Sequence, residues 1–245
     1  MKIKQVASII VKNNLFPFTD FHSPSEPFMN LSEAQKEFIQ DFNEKIKNGD
    51  IVFETVSCLC GNTIFDLIAS VDRYSILQNT VLCTKCGLIQ SNPRMAAESY
   101  RKFYSSDTYR KCYEPEDFTR IYRSKYNCNY GKHIFDEINK IKLIRPKTRV
   151  LEFGAGGGWN LLPFIKAGAE VLGVDYSPNL VQLGRDNGIN MMEGGIENIE
   201  GLFDVIITNH VLEHLSNPVE SLKLLISHLN KNGIIYIAVP NIMNF

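Results

Sequence analysis

Short apolar runs alternate with helical segments from Arg149 onward, and this alternation limits the fold more than any other feature of the sequence. The runs contain few charges, so each predicts a strand buried on both faces. The helical segments between them include WNLLPFIKAG, PNLVQLGRDNG and NPVESLKLLISHLNKNG, and they predict crossover connections, which make neighbouring strands parallel. The predicted strands are, in order, RVLEF, EVLGV, INMM, FDVIIT and GIIYIAV. The sequence therefore predicts an α/β, Rossmann-like doubly wound parallel sheet, which we expect to be cut short after the fifth strand because the sequence ends at VPNIMNF.

A glycine-rich turn follows the first predicted strand, in the stretch EFGAGGGWN. Gly154, Gly156 and Gly158 stand where the strand must turn sharply into a helix whose first amides face a ligand. Asp175 ends the second predicted strand, 19 residues beyond Gly156, where a carboxylate can bind a ribose. The pattern predicts a nucleotide site, and the structural alternative is a tight turn that holds no ligand.

The residue after the glycines narrows the choice of nucleotide. A dinucleotide fingerprint that starts at Gly154 needs a small residue at position 159, because the helix packs closely on the strand there, and this chain has Trp159. NAD and FAD are therefore disfavoured. The sequence also lacks G-x-x-x-x-G-K-[ST], which excludes a P-loop.

The segment 145–241 resembles the class I S-adenosylmethionine-dependent methyltransferases. The stretch VLEFGAGGGWNLLPFIKAGAEVLGVDYSPNLV is similar to their first two motifs, and FDVIITNHVLEHLSNPVESLKLLISHLNKNGIIYIAVPN is similar to their later ones. The cofactor contacts that this resemblance implies are Glu152 near the methionine amine, Gly154, Gly156 and Gly158 along the methionine and ribose, Asp175 at the ribose hydroxyls, and Asn209 at the methionine end.

The third motif departs from that family. The stretch EGGIENI has Gly195 where family members often carry an aspartate that contacts adenine. We expect Ile196 or Glu197 to supply the adenine contacts instead.

The stretch NHVLEHL contains H-x-x-E-H, the inverted zinc-peptidase signature. In such a peptidase both histidines project from one face of a long helix. Here His210 stands at the carboxyl end of a predicted strand, and Pro218 follows four residues after His214. The helical context is missing, so the sequence argues against a metalloprotease.

The same stretch predicts a base for proton transfer. If a helical turn starts near His210, Glu213 and His214 share its face at the rim where open parallel sheets bind their ligands. A histidine can accept the proton of an acceptor hydroxyl or acidic carbon, and a nearby carboxylate raises its basicity. His214 is the first candidate and His210 the second, with Tyr104 or Tyr109 reaching in from the N-terminal part. The alternative is that Glu213 and His214 only cap the following helix.

Four of the six cysteines form two close pairs, Cys58 with Cys60 and Cys83 with Cys86, separated by 22 residues. Four thiolates can close a tetrahedral site around zinc, and the glycine after each pair lets the backbone turn toward the sulfurs. The pairs predict a structural Zn²⁺ site, with unligated thiols as the alternative. Cys112 and Cys128 have no partner at ligand spacing and receive no role.

The cysteine region, CLCG followed by VLCTKCGLIQSNPR and FYSSDTYR, resembles a bacterial methyltransferase subgroup with an N-terminal zinc-binding domain. That subgroup includes sugar C-methyltransferases and enzymes encoded with surface-polysaccharide genes, and its N-terminal part helps to cover the acceptor site. The subgroup usually has C-x-x-C at the first pair, whereas this chain has C-x-C.

The chain is expected to divide into an N-terminal extension with one helix (1–55), a zinc-knuckle and tyrosine-rich region that covers the substrate (56–131) and the methyltransferase domain (132–245). The helix of the extension is predicted over LSEAQKEFIQDFNEKIKNG, with Ser32 as its N-cap, Gln35 three residues on and Gly49 at its end. The 26 basic and 27 acidic residues of the chain nearly cancel, which argues against a nucleic-acid partner held by phosphate neutralisation. The first apolar run stops at Lys12 and no segment is long enough to span a bilayer. We therefore expect a cytoplasmic protein that acts on a small molecule.

These features together predict methyl transfer from S-adenosylmethionine to a small polar acceptor, foremost a sugar or nucleotide-linked sugar. A rival enzyme is a divalent-metal-assisted O-methyltransferase that acts on a phenol, a quinone precursor or an RNA end, since H-x-x-E-H resembles the metal-binding E-x-x-E-H of some RNA-end methyltransferases. The non-catalytic alternative is a protein that binds the cofactor without turnover, or a zinc-mediated adaptor.

Overall fold

The computed structural model describes residues 30–105, 118–127 and 130–240. Two compact units divide the chain, residues 1–103 with 107–115 and residues 104–106 with 116–245. The predicted three-part division stays a prediction, and its first 29 residues lie outside the described ranges. Over the part of the chain that is described, no helix is both long enough and apolar enough to cross a membrane.

Helix α1 (Glu33–Asn48) opens the described part of the first unit. Ser32 accepts a hydrogen bond from the Gln35 amide, and the Gln35 side chain bonds back to the Ser32 amide, which completes a capping box. Gly49 ends the helix with φ 81°. The helix predicted from this pattern is confirmed, and it buries Ile39 and Phe42.

Short antiparallel strands make up the rest of the first unit. Strands β2, β3 and β4 form one sheet, and β1 pairs with β5 in another. The bounds are β1 Phe53–Glu54, β2 Phe65–Val71, β3 Leu77–Cys83, β4 Ile89–Ser91 and β5 Arg94–Met95. Helix α2 (Ala97–Ser105) runs from the first unit into the second along the chain.

A five-stranded parallel sheet forms the centre of the second unit, in the order β10-β9-β6-β7-β8. The strands are β6 Arg149–Phe153, β7 Glu170–Asp175, β8 Met191–Glu193, β9 Phe203–Asn209 and β10 Leu229–Ala238. The helices are α3 Phe118–Asn127, α4 Lys132–Ile141, α5 Leu162–Lys166, α6 Pro178–Asp186 and α7 Pro218–Ser227. The predicted Rossmann-like parallel sheet is confirmed.

The central strand β6 is buried on both of its faces, as its apolar sequence predicts. Val150 belongs to a core cluster with Phe164 from α5, and Leu151 belongs to a second cluster with Leu225 from α7. Alternate residues of one strand thus enter different cores. Helices therefore cover both faces of the sheet.

Two element boundaries differ from the sequence-based expectation. The helix expected over residues 217–233 ends at Ser227, because Leu229 already pairs with Phe203 and the strand continues after an irregularity before Ile234. The helix expected to start at Trp159 begins as a 3₁₀ turn over Trp159–Leu161. Gly158 precedes this turn with φ 75°.

Candidate active site

The glycine turn lies at the carboxyl end of β6, beside the end of β7. The Gly156 amide donates to Asp175 Oδ2 at 2.8 Å, and the Ser177 amide donates to Oδ1 at 2.9 Å. A carboxylate has about four acceptor sites, so Asp175 can hold the turn and also accept a ligand hydroxyl. The structure thus brings together the glycines and the carboxylate that the sequence predicted as a nucleotide site.

Glycine is required at the first position of this turn for steric reasons. Gly154 has φ 71°, which strains any residue with a side chain. A Cβ there would overlap Val211 Cγ2, in the segment that follows β9. The glycine turn and the histidine-bearing segment after β9 therefore pack directly on each other.

Glu152 is the most deeply buried charged residue described near the turn, with 1% of its surface exposed. The Asn160 amide group donates to Glu152 Oε1 at 2.7 Å, whereas Oε2 has no hydrogen-bond partner. Burial raises the pKa of Glu152 to about 8, and the charge of Asp175 acts in the same direction against the Asn160 hydrogen bond. An unpaired acceptor of this kind suits a positively charged donor from a ligand.

Trp159 lies beneath the turn. Cβ atoms added at Gly156 and Gly157 would stand 2.9 Å and 2.8 Å from its indole ring. Tyr126 of α3 donates from its hydroxyl to the Gly157 carbonyl oxygen at 2.6 Å. Burial, with a smaller contribution from the charge of Asp186, raises the pKa of Tyr126 to about 12, so the hydroxyl keeps its proton at neutral pH.

At the carboxyl end of β8, a Cβ on Gly195 would overlap the Tyr176 hydroxyl and the Glu197 carboxylate. An aspartate at this position would therefore not fit without rearrangement. Ile196 is 6% exposed and belongs to the core on one face of the sheet, while Glu197 is exposed. Of the two residues expected to contact adenine, Glu197 presents polar atoms at the surface.

The stretch NHVLEHL begins at the end of β9, where Asn209 is the last strand residue. His210 adopts φ 57°, a left-handed conformation that is uncommon for a residue with a side chain. A 3₁₀ turn covers Leu212–His214, so the helical turn considered for this segment starts at Leu212, two residues after His210. The two histidines do not share an α-helix, which removes the geometry of the peptidase motif.

Polar side chains nevertheless meet in this segment. Glu213 Oε1 lies 3.5 Å from His210 Nδ1 and 3.9 Å from His214 Nε2. The Tyr104 hydroxyl, which groups with the second unit, lies 3.2 Å from His214 Nδ1. Helix α7 begins after Asn217 without a side-chain cap, so neither Glu213 nor His214 caps it by a hydrogen bond.

The environment of His214 favours its neutral form. Desolvation by the surrounding protein lowers its pKa below the usual value, and repulsion from His210 adds to this, while Glu213 acts in the opposite direction. The side chain remains 47% exposed. A neutral, accessible imidazole can accept a proton. Tyr109, the other predicted tyrosine, lies outside the described residues.

The four predicted zinc ligands converge in the first unit. The sulfurs of Cys58, Cys60, Cys83 and Cys86 all lie within 4.8 Å of one another. Cys58 Sγ is 3.4 Å from Cys86 Sγ, and Cys60 Sγ is 3.6 Å from Cys83 Sγ. Zinc–sulfur bonds of about 2.3 Å in a tetrahedron separate the sulfurs by about 3.8 Å, so the cluster fits the ion. Among the described residues, no other group of three or more such side chains is comparably close.

The thiols of this cluster differ in acidity. Burial, together with the neighbouring thiols, raises the pKa of Cys58 to about 12. Burial also disfavours the Cys83 thiolate, but the amides of Cys86 and Lys85 and the Asn62 side chain outweigh it and lower the pKa of Cys83 to about 6. Gly61 and Gly87, with φ 81° and 77°, turn the backbone after each pair as expected.

Comparison with known proteins identifies the second unit. Residues 122–243 match the family model described as a methyltransferase domain. The chain contains a methyltransferase domain. The predicted class I methyltransferase fold is thereby supported, while the zinc-binding subgroup and the sugar C-methyltransferases find no counterpart among the relatives given below.

Curated relatives match less than half of the chain. A ubiquinone biosynthesis O-methyltransferase of Rickettsia typhi is 31% identical over 115 residues, 42% of this chain and 47% of that protein. The protein of the same name from Xanthomonas campestris is 26% identical over 106 residues, 39% of this chain and 44% of that protein. The chain thus spans about half the length of the curated relatives it matches.

A solved structure with similarity to the chain is magnesium protoporphyrin IX methyltransferase from Synechocystis PCC 6803 with bound S-adenosylmethionine. It is 20% identical, covers 53% of this chain and 69% of that one, and superposes with a TM-score of 0.40.

Sequence reasoning missed two residues of the site, Tyr126 and Asn160. Asn160 follows Trp159 directly and could have been noted as a polar residue that a buried helix start would turn inward. Tyr126 reaches the turn from 31 residues away in the sequence, and no spacing rule links the two.

Proposed function

We propose that the methyltransferase domain transfers a methyl group from S-adenosylmethionine to a hydroxyl oxygen of a small acceptor. The observation that carries the proposal is the buried Glu152 with an unpaired oxygen beside a glycine turn that Asp175 holds in place. The match to a methyltransferase domain supports it. The name shared by several curated relatives, ubiquinone biosynthesis O-methyltransferase, favours oxygen as the methylated atom.

The donor set of the site fits this methyl donor. Glu152 Oε2 would accept from the ammonium group of the methionine moiety, which converts an unpaired buried oxygen into a charge-assisted hydrogen bond. Asp175 would accept from the ribose hydroxyls. The glycines leave space along the turn, and Asn209 and Glu197 are proposed for the methionine end and the adenine, respectively.

When bound, S-adenosylmethionine supplies a methyl group on a positively charged sulfur, whose S–CH₃ bond breaks as the bond from the acceptor oxygen forms. The hydroxyl proton must leave the acceptor in the same process, so the chain has to provide a base. The chain must also hold the acceptor oxygen in line with the S–CH₃ bond.

We propose His214 as that base. In the tautomer whose Nδ1–H donates to the Tyr104 hydroxyl at 3.2 Å, Nε2 carries the lone pair. Nε2 can then take the acceptor proton, and Glu213 at 3.9 Å stabilises the imidazolium that forms. Tyr104 orients the ring through this contact.

The predicted sugar acceptor rests on the subgroup resemblance alone and stays a prediction. The phenol or quinone-precursor acceptor gains support from the names of the relatives. Metal assistance by His210, Glu213 and His214 also stays a prediction, which activity after EDTA treatment, with and without added Mg²⁺, would decide.

We also propose one structural Zn²⁺ in the first unit, bound by Cys58, Cys60, Cys83 and Cys86. The convergence of four sulfurs within 4.8 Å supports this site. Each ligand would bind as a thiolate, and the Zn²⁺ ion would compensate the negative charge of the four packed sulfurs.

The test of the proposed activity uses methyl-labelled S-adenosylmethionine with two acceptor panels, one of phenols and catechols and one of nucleotide sugars. We expect label on a phenol oxygen. Label on sugar products alone would favour the acceptor predicted from the sequence. Binding of S-adenosylmethionine without label transfer to either panel would favour a non-catalytic module.

A further inference from the structure

Val211 packs on the glycine turn from the segment that follows β9. A Cβ on Gly154 would overlap Val211 Cγ2 and stand 3.0 Å from Cγ1, so both methyl groups of Val211 lie against this glycine. The side chain is partly buried and also packs against the core cluster that contains Phe153 and Ile206. Branching at Cβ leaves valine few rotamers, so these contacts fix where the side chain lies. Val211 thereby sets how closely its segment approaches the turn.

The main chain of Val211 holds His214. The Val211 carbonyl oxygen accepts from the His214 amide at 2.9 Å, within the 3₁₀ turn. One residue before Val211, the His210 amide donates to the Ala238 carbonyl oxygen at 2.9 Å, which ties the start of the segment to β10. Val211 therefore contacts the glycine turn with its side chain and His214 with its carbonyl. The distance of His214 from the turn thus depends on the size of one side chain.

We propose that Val211 is a positioning residue, whose two methyl groups set the distance between His214 and the methyl donor at the glycine turn. This inference rests on the proposed function. A base removes the acceptor proton only within hydrogen-bond reach of it, and a misplacement of about 1 Å can lower the rate by about 100-fold. Because Val211 spaces the segment of His214 from the turn, a change in the volume of its side chain should act on proton removal.

The test compares two acceptors that differ in their need for a base. An unsubstituted phenol must lose its proton during the transfer, whereas a nitro-substituted phenol, measured at a pH above its own pKa and below that of phenol, is already ionised. Transfer of label from methyl-labelled S-adenosylmethionine gives kcat of the full chain for both acceptors. The variants are Val211→Ala, which removes both methyl groups, and Val211→Thr, which keeps the branched shape and replaces one methyl group by a hydroxyl.

We expect Val211→Ala to lower kcat by about 10–100-fold on the neutral phenol and by less than about threefold on the ionised one. His214→Ala should show the same selectivity, because Val211 acts through His214. Val211→Thr should lose thermal stability, because it buries a hydroxyl, and should keep most of its kcat on the neutral phenol. Val171→Ala removes a partly buried valine near the amino end of β7, so it is the matched control and should keep kcat on both acceptors.

Equal losses on the two phenols in Val211→Ala, or no loss on either, would overturn the assignment of Val211. A kcat on the neutral phenol that falls with thermal stability across all the valine variants would also overturn it, because a purely structural residue behaves in that way. If Val211→Ala does not fold, as judged by its thermal melt, Val211→Ile should show the same selective loss, because its extra methylene moves the segment away from the turn. A wild type that methylates neither phenol would instead overturn the proposed function, and the assignment with it, so the two failures are distinct.

Discussion

The two units of the chain build their candidate sites in opposite ways. In the second unit, strand ends of a parallel sheet bring Asp175, Glu152 and the glycine turn together, and main-chain hydrogen bonds hold them there. In the first unit, two short turns bring four sulfurs together, and the Asn62 side chain donates to Cys83 Sγ.

This difference concerns what each site needs in order to keep its shape. Strand order and core packing fix the ligand edge of the sheet, so the methyltransferase site should persist without its cofactor. The cysteine cluster holds thiols whose pKa values diverge, Cys58 to about 12 and Cys83 to about 6. A site of this kind depends on the ion that would bind all four as thiolates.

The largest effect is expected from removing the proposed zinc. Purified, unchelated protein should contain about one zinc per chain by elemental analysis, and Cys83→Ser should lose the metal and unfold the first unit, because metal binding free energy is folding free energy there. Hydrogen exchange should detect this loss of protection over residues 30–103, while β6 and β9 stay protected. Cys112→Ser, at a cysteine without a partner at ligand spacing, is the control and should retain zinc.

If the unaltered protein contains no zinc and Cys83→Ser keeps full protection from hydrogen exchange, the cluster is a group of unligated thiols. The contrast between the two units would then disappear.

The next effect in size concerns His214. His214→Ala should lower kcat by about 10²–10⁴ and leave the affinity for S-adenosylmethionine nearly unchanged, because it removes a base and no cofactor contact. His228→Ala is the matched control, since His228 contacts the Gly201 carbonyl and lies at the amino end of β10. Full turnover of His214→Ala and of His210→Ala on the true acceptor would exclude the segment from the chemistry.

A smaller loss is expected at Asp175. Asp175→Ala should weaken S-adenosylmethionine binding by about 1.5–3 kcal/mol, because it removes a charged hydrogen-bond acceptor. It also removes the bond from the Gly156 amide, so Asp175→Asn, which keeps one acceptor oxygen, should lose less. Calorimetry measures both. An unchanged affinity of Asp175→Ala for S-adenosylmethionine would mean that the carboxylate at the end of β7 does not bind the ribose.

The smallest effect is expected in the dependence of kcat on pH. His214 must be neutral to accept a proton, so kcat should fall as the pH drops through its pKa, which lies below the usual histidine value. Glu213 raises that pKa, and Glu213→Gln should therefore move the acidic limb to lower pH. An acidic limb that moves to higher pH, or not at all, would contradict the pairing of Glu213 with His214.

The sequence predicted the parts of the molecule that depend on local pattern. The strands, the capping box of α1, the glycine turn with Asp175 and the convergence of the cysteines all follow from periodicity or spacing. The predicted end of α7 was wrong because the pairing of Leu229 with Phe203 in the sheet overrides helix propensity. The contact of Tyr126 with Gly157 was missed because it depends on where α3 packs, which no local pattern encodes.

Calorimetric titration of the full chain with S-adenosylmethionine and, separately, with NADH tests the central claim most directly. The claim is that the glycine turn, with Trp159 beneath it, binds a single nucleoside carrying methionine and not a dinucleotide. The account predicts saturable binding of S-adenosylmethionine at one site per chain and no binding of NADH. Binding of NADH with no heat from S-adenosylmethionine would contradict it.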